Sequence, residues 1–219
     1  MNDQPPEKNK SLPDGRLDVF HIWSTIQGEG PLTGTPAVFI RLAGCNLSCP
    51  FCDTDYTSHR ERMQIRDIVN RVWEEGNYKL VVITGGEPFR QEIGPLVELL
   101  LEEGYRVQIE TNGTLYLYNL PYLKDALTIV CSPKISRIHS VLDQYVDAVK
   151  YLVKDGELNE TDGLPKGLAR LESNAEVFLQ PLDEGNEVAN QQNIQAAVKS
   201  CLRFGHRLCL QVHKIVGLE

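Results

Sequence analysis

Seven short apolar, β-branched runs punctuate this chain: AVFIRL (37–42), KLVVIT (79–84), RVQIE (106–110), LTIVC (127–131), DAVKYLV (147–153), EVFLQ (176–180) and RLCLQV (207–212). Runs of this length and make-up fit buried strands. Helix-compatible segments separate several of them, chiefly MQIRDIVNRVWEEG, EIGPLVELLLEEG and EVANQQNIQAAVKSCLRFG. Strands alternating with helices give βαβ units, because a parallel strand pair needs a crossover between its members. The residues just past each run constrain the chain further. The segments RLAGCNLSCPFC, TGGEP, ETNGT, CSPK, LQPLDEGN and VHK are polar or glycine-bearing, and each stands where a strand ends. All strand ends of a parallel sheet point to one edge, so these segments converge on one cavity. With fewer than eight strand–helix units, the expected fold is α/β, an incomplete (β/α) barrel.

The expected organisation is a disordered polar tail over 1–15, MNDQPPEKNKSLPDG, followed by one domain over 16–219. A chain of this size buries roughly 70–75% of its unfolded surface and needs no disulfide staples. Its six cysteines are therefore free for chemistry. No apolar stretch approaches the roughly 20 residues of a membrane span, and the opening residues do not read as a secretory leader. The expected setting is a reducing cytoplasm, with no membrane partner. Twenty-two basic against thirty acidic side chains give a net charge of −8. That balance argues against a nucleic-acid platform, which needs lysine and arginine in excess. The one basic concentration, Arg60, Arg62, Arg66 and Arg71, is either a solvated face or a docking place for an acidic electron-transfer protein.

Cys45, Cys49 and Cys52 fall within eight positions. A disulfide uses two cysteines, and a closed zinc site normally uses four ligands. An iron–sulfur cube offers four irons. Three thiolates leave one of them open to a ligand. The alternative is a zinc site completed by a distant residue, for which His59 or Cys131 would serve.

The cysteine spacing, together with TGGEP downstream, resembles the radical S-adenosylmethionine superfamily. Within it, the segments IQGEG, FIRLAGCNLSCPFCDT, VVITGGEP, IETNGT, SPK, LQP and VHK are similar to the 7-carboxy-7-deazaguanine synthase family from about Phe20 onward. The resemblance implies a partial barrel of the radical S-adenosylmethionine type, reduced in helix number, and commonly a homodimer. It implies ring contraction of 6-carboxy-5,6,7,8-tetrahydropterin to 7-carboxy-7-deazaguanine with loss of ammonia, on the route to 7-deazapurines such as queuosine. The cofactors implied are a 4Fe–4S cluster on Cys45, Cys49 and Cys52, S-adenosylmethionine, and Mg2+ on Thr54. Flavodoxin or ferredoxin would donate the electron.

Carried over residue by residue, the resemblance assigns the cofactor to Phe51, Cys52, Asp53, Gly85, Gly86 and Glu87. It adds Asn112, Gly113, Ser132, Pro133 and Lys134, then Gln180, Pro181, Leu182 and Asp183. The substrate falls to Ile26, Gln27, Gly28, Glu29, Arg41, Thr111, His213 and Glu219, with Arg41 and Thr54 as the catalytic pair. A planar guanidinium at Arg41 suits a carboxylated pterin, because it grips a carboxylate through two parallel hydrogen bonds. Cys131, Cys201 and Cys209 lack metal spacing and read as small buried hydrophobes. Two alternatives stand beside this reading: an activase that installs a glycyl radical on a partner protein, and a zinc-stabilised binding module.

Overall fold

The computed structural model describes residues 3–9, 14–121 and 125–218. Its strands are β1 (Arg16–Ile26), β2 (Pro36–Leu42), β3 (Glu61–Gln64), β4 (Leu80–Gly85), β5 (Arg106–Thr111), β6 (Leu127–Cys131), β7 (Ala148–Val153), β8 (Glu176–Pro181) and β9 (Arg207–Leu208). Among the described residues they join in one sheet of order β3-β1-β2-β4-β5-β6-β7-β8-β9, open at both edges. From β2 to β9 all neighbours are parallel. Only β1 runs antiparallel, to β2 on one side and β3 on the other. The helices are α1 (Ile65–Glu74), α2 (Gly94–Glu102), α3 (Ser140–Asp143), α4 (Glu187–Phe204) and α5 (Val212–Ile215). This is the expected open α/β barrel with few helices. Among the described residues, the β5–β6 and β7–β8 connections carry no helix. Leu117, Leu120 and Leu164 from those connections help to close the core in its place.

The alternation of side chains along each strand sets what faces in and what faces out. On β4, Val81 and Ile83 join the core beneath α1 and α2, while Leu80 and Val82 pack with Ala37 on the opposite face. On β7, Val149, Tyr151 and Val153 pack under α4, so Lys150 and Leu152 project to the other side and line a cavity there. Helix α1 holds its place by burying Ile68, Val69 and Val72, about 1.5–3 kcal/mol each relative to exposure. Helix α4 begins where the Asn186 side chain accepts from the Ala189 N–H at 3.0 Å. It ends at Gly205, whose φ of +79° makes a left-handed cap that glycine adopts without penalty.

Two segments differ from the sequence expectation. MQIRDIVN begins as a strand, because Met63 and Gln64 pair with Leu17 and Arg16 before the helix starts at Ile65. RLCLQV contributes only Arg207 and Leu208 to the sheet. Beyond Leu208 the chain turns into the cavity, where the Gln211 side chain donates to Glu29 at 2.8 Å and the Val212 N–H donates to Gly28 at 3.1 Å. Polar partners inside the cavity outcompete continuation of the sheet edge.

Candidate active site

The strand ends and the inward faces of β2, β4, β5, β7 and β8 enclose a cavity of about 480 Å³. The three cysteines of the 43–57 loop occupy one end, and Glu29, Glu110 and Lys150 line the strand-side interior. An adjoining open cleft shares Phe51, Cys52, Asp53, Thr54, Lys134, Leu182 and Asp183 with it.

The cysteine loop is braced by backbone bonds. The Gly44 N–H donates to Tyr56 O at 2.8 Å, Cys52 N–H to Cys49 O at 3.1 Å, and Glu87 N–H to Gly44 O at 3.1 Å. Gly86 permits that last approach, because a Cβ there would stand 2.4 Å from Gly44 O and 2.6 Å from Cys45 Cβ. Burial pushes the Cys45 thiol up to about 12, with Glu87, Cys49 and Cys52 adding to the rise against the Leu47 N–H. Burial also raises Cys49 and Cys52. Three thiols in this setting do not ionise on their own account; a multiply charged cation would hold them as thiolates. Among the described residues, no three histidine, cysteine or acidic side chains group tightly enough to hold a single ion. His59 packs edge-on against Phe20, and Cys131 lies buried on β6 beneath Gly113.

Glu87 turns away from the cavity. It is fully buried and accepts from Phe89 N–H at 3.0 Å, Thr111 Oγ1 at 2.7 Å and Asn112 N–H at 2.7 Å. Burial raises its carboxyl above the usual range, against those three bonds. The side chain thus ties the end of β4 to the end of β5. Asn112 in turn donates to Asn46 of the cysteine loop at 2.9 Å. Arg90 lies three positions beyond Glu87, buried under the loop, and donates to Ala43 O at 2.8 Å.

The interior of the cavity is built from polar positions on otherwise apolar strands. Lys150 pairs with Glu29 and stands 3.8 Å from Glu110. Glu29 also accepts from Gln180 at 3.2 Å and Gln211 at 2.8 Å. Glu110 accepts from Gln27 at 2.9 Å and Gln108 at 3.0 Å. Burial pushes the Glu29 carboxyl up, but the Lys150 ammonium and the hydrogen bonds outweigh it and bring it down to about 2. Burial lowers Lys150, yet the two carboxylates leave it raised above the ordinary lysine range. Arg41 lies over the Trp23 ring at 4.8 Å and lines the same cavity.

The last helix closes one side. Gly28 lets it sit there, since a Cβ would fall 2.0 Å from His213 Nδ1. Lys214 Nζ lies 3.0 Å from Asp53 of the cysteine loop and 3.0 Å from Asp183 beyond β8. Asp183, which also accepts from Gly185 N–H and Asn190, is held at about 2.

Most residues expected at the site come together. Ile26, Gln27, Glu29, Arg41, Cys45, Cys49, Phe51, Cys52, Asp53 and Thr54 line the cavity. So do Gly85, Gly86, Thr111, Asn112, Ser132, Lys134, Gln180, Pro181, Leu182, Asp183 and His213. Pro133 faces the adjoining cleft. Gly28, Glu87 and Gly113 stand behind the wall, and Glu219 lies outside the described residues. Four functional candidates were not singled out from the sequence: Glu110, Lys150, Gln211 and Arg90. For the first two the signal was there, a charged residue at an alternating position of a buried strand.

A family model described as the Radical SAM superfamily matches residues 39–132, from β2 to just past β6. The 7-carboxy-7-deazaguanine synthase of Rhodospirillum rubrum is 42% identical over 231 aligned residues, covering 97% of each chain. That of Rickettsia prowazekii is 41% identical, covering 98% of this chain and 94% of its own. The chain belongs to the 7-carboxy-7-deazaguanine synthase family. The Aquifex aeolicus synthase is 36% identical over 94% of this chain and 96% of its own. The crystal structure of QueE from Escherichia coli aligns with a TM-score of 0.70 over 90% of this chain and 94% of that one; at 23% identity it bears on the fold. Family membership sets aside the activase and the zinc-stabilised module. As a radical S-adenosylmethionine member of the synthase family, the chain calls for a 4Fe–4S cluster and S-adenosylmethionine. The residues present fit them: three thiols and no fourth cysteine at the end of a cavity, with a wide cleft beside it.

No helix among the described residues is long and apolar enough to cross a membrane. The four arginines of the 60–71 cluster pair within the chain: Arg60 with Glu7 and Asp18, Arg62 with Asp18, Arg66 with Glu103 and Arg71 with Glu74.

Proposed function

We propose that the chain converts 6-carboxy-5,6,7,8-tetrahydropterin to 7-carboxy-7-deazaguanine with loss of ammonia, in 7-deazapurine biosynthesis of the queuosine type. The observation that carries this is one cavity of about 480 Å³ lined by the three thiols, the Arg41 guanidinium and the half-buried carboxylates of Glu29 and Glu110. Cys45, Cys49 and Cys52 would hold the cluster, which with S-adenosylmethionine would supply one-electron reduction and radical hydrogen-abstraction chemistry. The protein's own part is to bind, orient and exclude water. Arg41, steadied by the Trp23 face, grips the substrate carboxylate through its fork. Glu29, held down by Lys150, and Glu110 beside it accept from the N–H edge of the pterin. Gln27 and Thr111 complete the wall, and His213 closes it. Phe51 and the Gln180–Asp183 segment, with Ser132, Pro133 and Lys134, form the cofactor side.

Thr54 is assigned to Mg2+, which takes oxygen ligands and keeps several waters. Its hydroxyl stands 3.3 Å from Asp53 Oδ1 at the cavity mouth. Thr54→Ala should lower turnover at limiting magnesium at least about 10-fold. An unchanged magnesium titration would remove the assignment. The enzyme works as a cytoplasmic homodimer reduced by an acidic flavodoxin or ferredoxin. The deciding assay is anaerobic incubation with S-adenosylmethionine, reductant, magnesium and the carboxytetrahydropterin. The deazaguanine acid and 5′-deoxyadenosine should appear together. Cofactor cleavage that never yields the deazaguanine acid would refute the substrate.

A further inference from the structure

Residues 3–9, inside the stretch that composition reads as a disordered tail, lie against the cysteine loop. The Gln4 side chain donates to Thr54 O at 2.9 Å and accepts from Tyr56 N–H at 2.9 Å and Thr57 Oγ1 at 3.0 Å. Gln4 O accepts from Ser48 Oγ at 2.9 Å. Three residues on, the Glu7 N–H donates to Cys45 O at 2.7 Å, and its carboxylate sits between Arg60 and Arg90. Arg90 is 2% exposed and spans the two layers, donating to Lys8 O at 2.9 Å and to Ala43 O at 2.8 Å.

These contacts are distributed along the whole loop. They reach it at its first cysteine, between its first and second, and after its third. Thr54 O and Tyr56 N–H are backbone groups of an irregular loop, outside any sheet ladder, and such groups need partners when covered. One amide side chain bonds both. The Glu7 carboxylate provides charge for a guanidinium buried under the loop, where an uncompensated cation would push its surroundings apart. Gly44 shows how close the layers are, since a Cβ there would lie 2.3 Å from Arg90 Nη2 and 2.8 Å from Glu7 Oε1.

We infer that Gln4 and Glu7 are positioning residues for the three-cysteine loop: the segment Asp3–Asn9 straps that loop into the shape that retains an iron–sulfur cluster. The inference rests on the radical S-adenosylmethionine reading of the cysteines. The strap touches no cavity-lining thiol directly; it acts on the backbone between them. Outer contacts of this kind typically tune metal retention about 10- to 100-fold.

The test uses the full chain carrying Gln4→Ala and Glu7→Ala together, with Glu7→Gln alone as the milder variant. Each is reconstituted anaerobically, and iron release to an external ferrous chelator is timed. The double variant should release iron about 10-fold faster than the unmodified chain, with Glu7→Gln between them. The metal-free double variant should melt lower, because Arg90 loses its carboxylate. Gln4→Ala alone keeps that pair, so its metal-free midpoint should stay within a few degrees while its iron release still quickens, which separates loop positioning from general loosening. Equal release rates in all four proteins would overturn the strap while leaving the cluster assignment intact. An unmodified chain that takes up no iron and sulfide would overturn both.

Discussion

Gly86→Ala should empty the cysteine loop of iron and abolish turnover. The added Cβ has no room: it meets Gly44 O at 2.4 Å and Cys45 Cβ at 2.6 Å. Neither is the tip of a flexible side chain, so the end of β4 and the loop must move apart. Overpacking of a tight site costs about 1–3 kcal/mol and occasionally more, and a backbone clash belongs at the upper end. The movement breaks the Glu87 N–H bond to Gly44 O and displaces the first thiol. Iron per chain after reconstitution should fall well below half of the unmodified level. Gly104→Ala is the control, because Gly104 is left-handed at φ +84° but faces open space. It carries only backbone strain, about 1–2 kcal/mol, and should keep its iron. A Gly86→Ala protein that reconstitutes fully would show that the close approach is dispensable.

Lys150→Met should cost both stability and activity. It leaves Glu29 and Glu110 in a buried setting without their cation. Breaking a buried ion pair from one side costs about 3–5 kcal/mol, which for a chain of this size lowers the thermal midpoint by about 10 °C. In the unmodified protein, Glu29 is depressed to about 2. Its stabilisation is therefore complete above the unfolded glutamate value of about 4.3 and fades as pH falls through 2. Lys150 is raised; its share is complete below the unfolded lysine value of about 10.4 and is lost as pH rises from there through the folded one. Between the two unfolded values this network contributes a flat profile. Removing the ammonium reverses the sign at Glu29. Burial then raises its carboxyl, and the variant should gain stability as pH drops from 8 toward 5. Thermal melts across that range decide the point. Turnover should fall at least about 100-fold, equivalent to about 2.7 kcal/mol. Adding Glu29→Gln should restore much of the midpoint and none of the turnover. A Lys150→Met protein with an unmodified, pH-flat midpoint would show that the network carries no such charge balance.

The parallel strands were legible because burial on both faces leaves near-continuous β-branched runs, as in KLVVIT and LTIVC. The cysteine loop and the strand-end segments were legible for the same reason, as polar interruptions at fixed places. Glu110 and Lys150 sat in plain view as charges alternating with apolar neighbours in RVQIET and AVKYLV, yet a strand containing them reads first as amphipathic. The direction of Glu87 was beyond reach. Gly85, at φ +149°, swings the trace so that the carboxylate meets the β5 end, and no local pattern encodes that partner. His213 and Lys214 were expected at the tip of a strand and sit on α5, because the pull of Glu29 on Gln211 is a contact across the whole chain. The strap over the loop was hidden likewise. Its make-up is that of a solvated segment, and its partners are backbone groups and an arginine found only in three dimensions.

Lys214 grips Asp53 from one side of the cysteine loop while Gln4 and Glu7 hold it from the other. A ribosome delivers a chain from its amino end, so the early residues wait in the exit stream long before their counterpart is made. The loop can be fastened on both sides only once residue 214 has been translated. Prematurely released products would carry the thiols without the full clasp. Reaching Lys214 is thus a condition for holding the thiol loop from both sides.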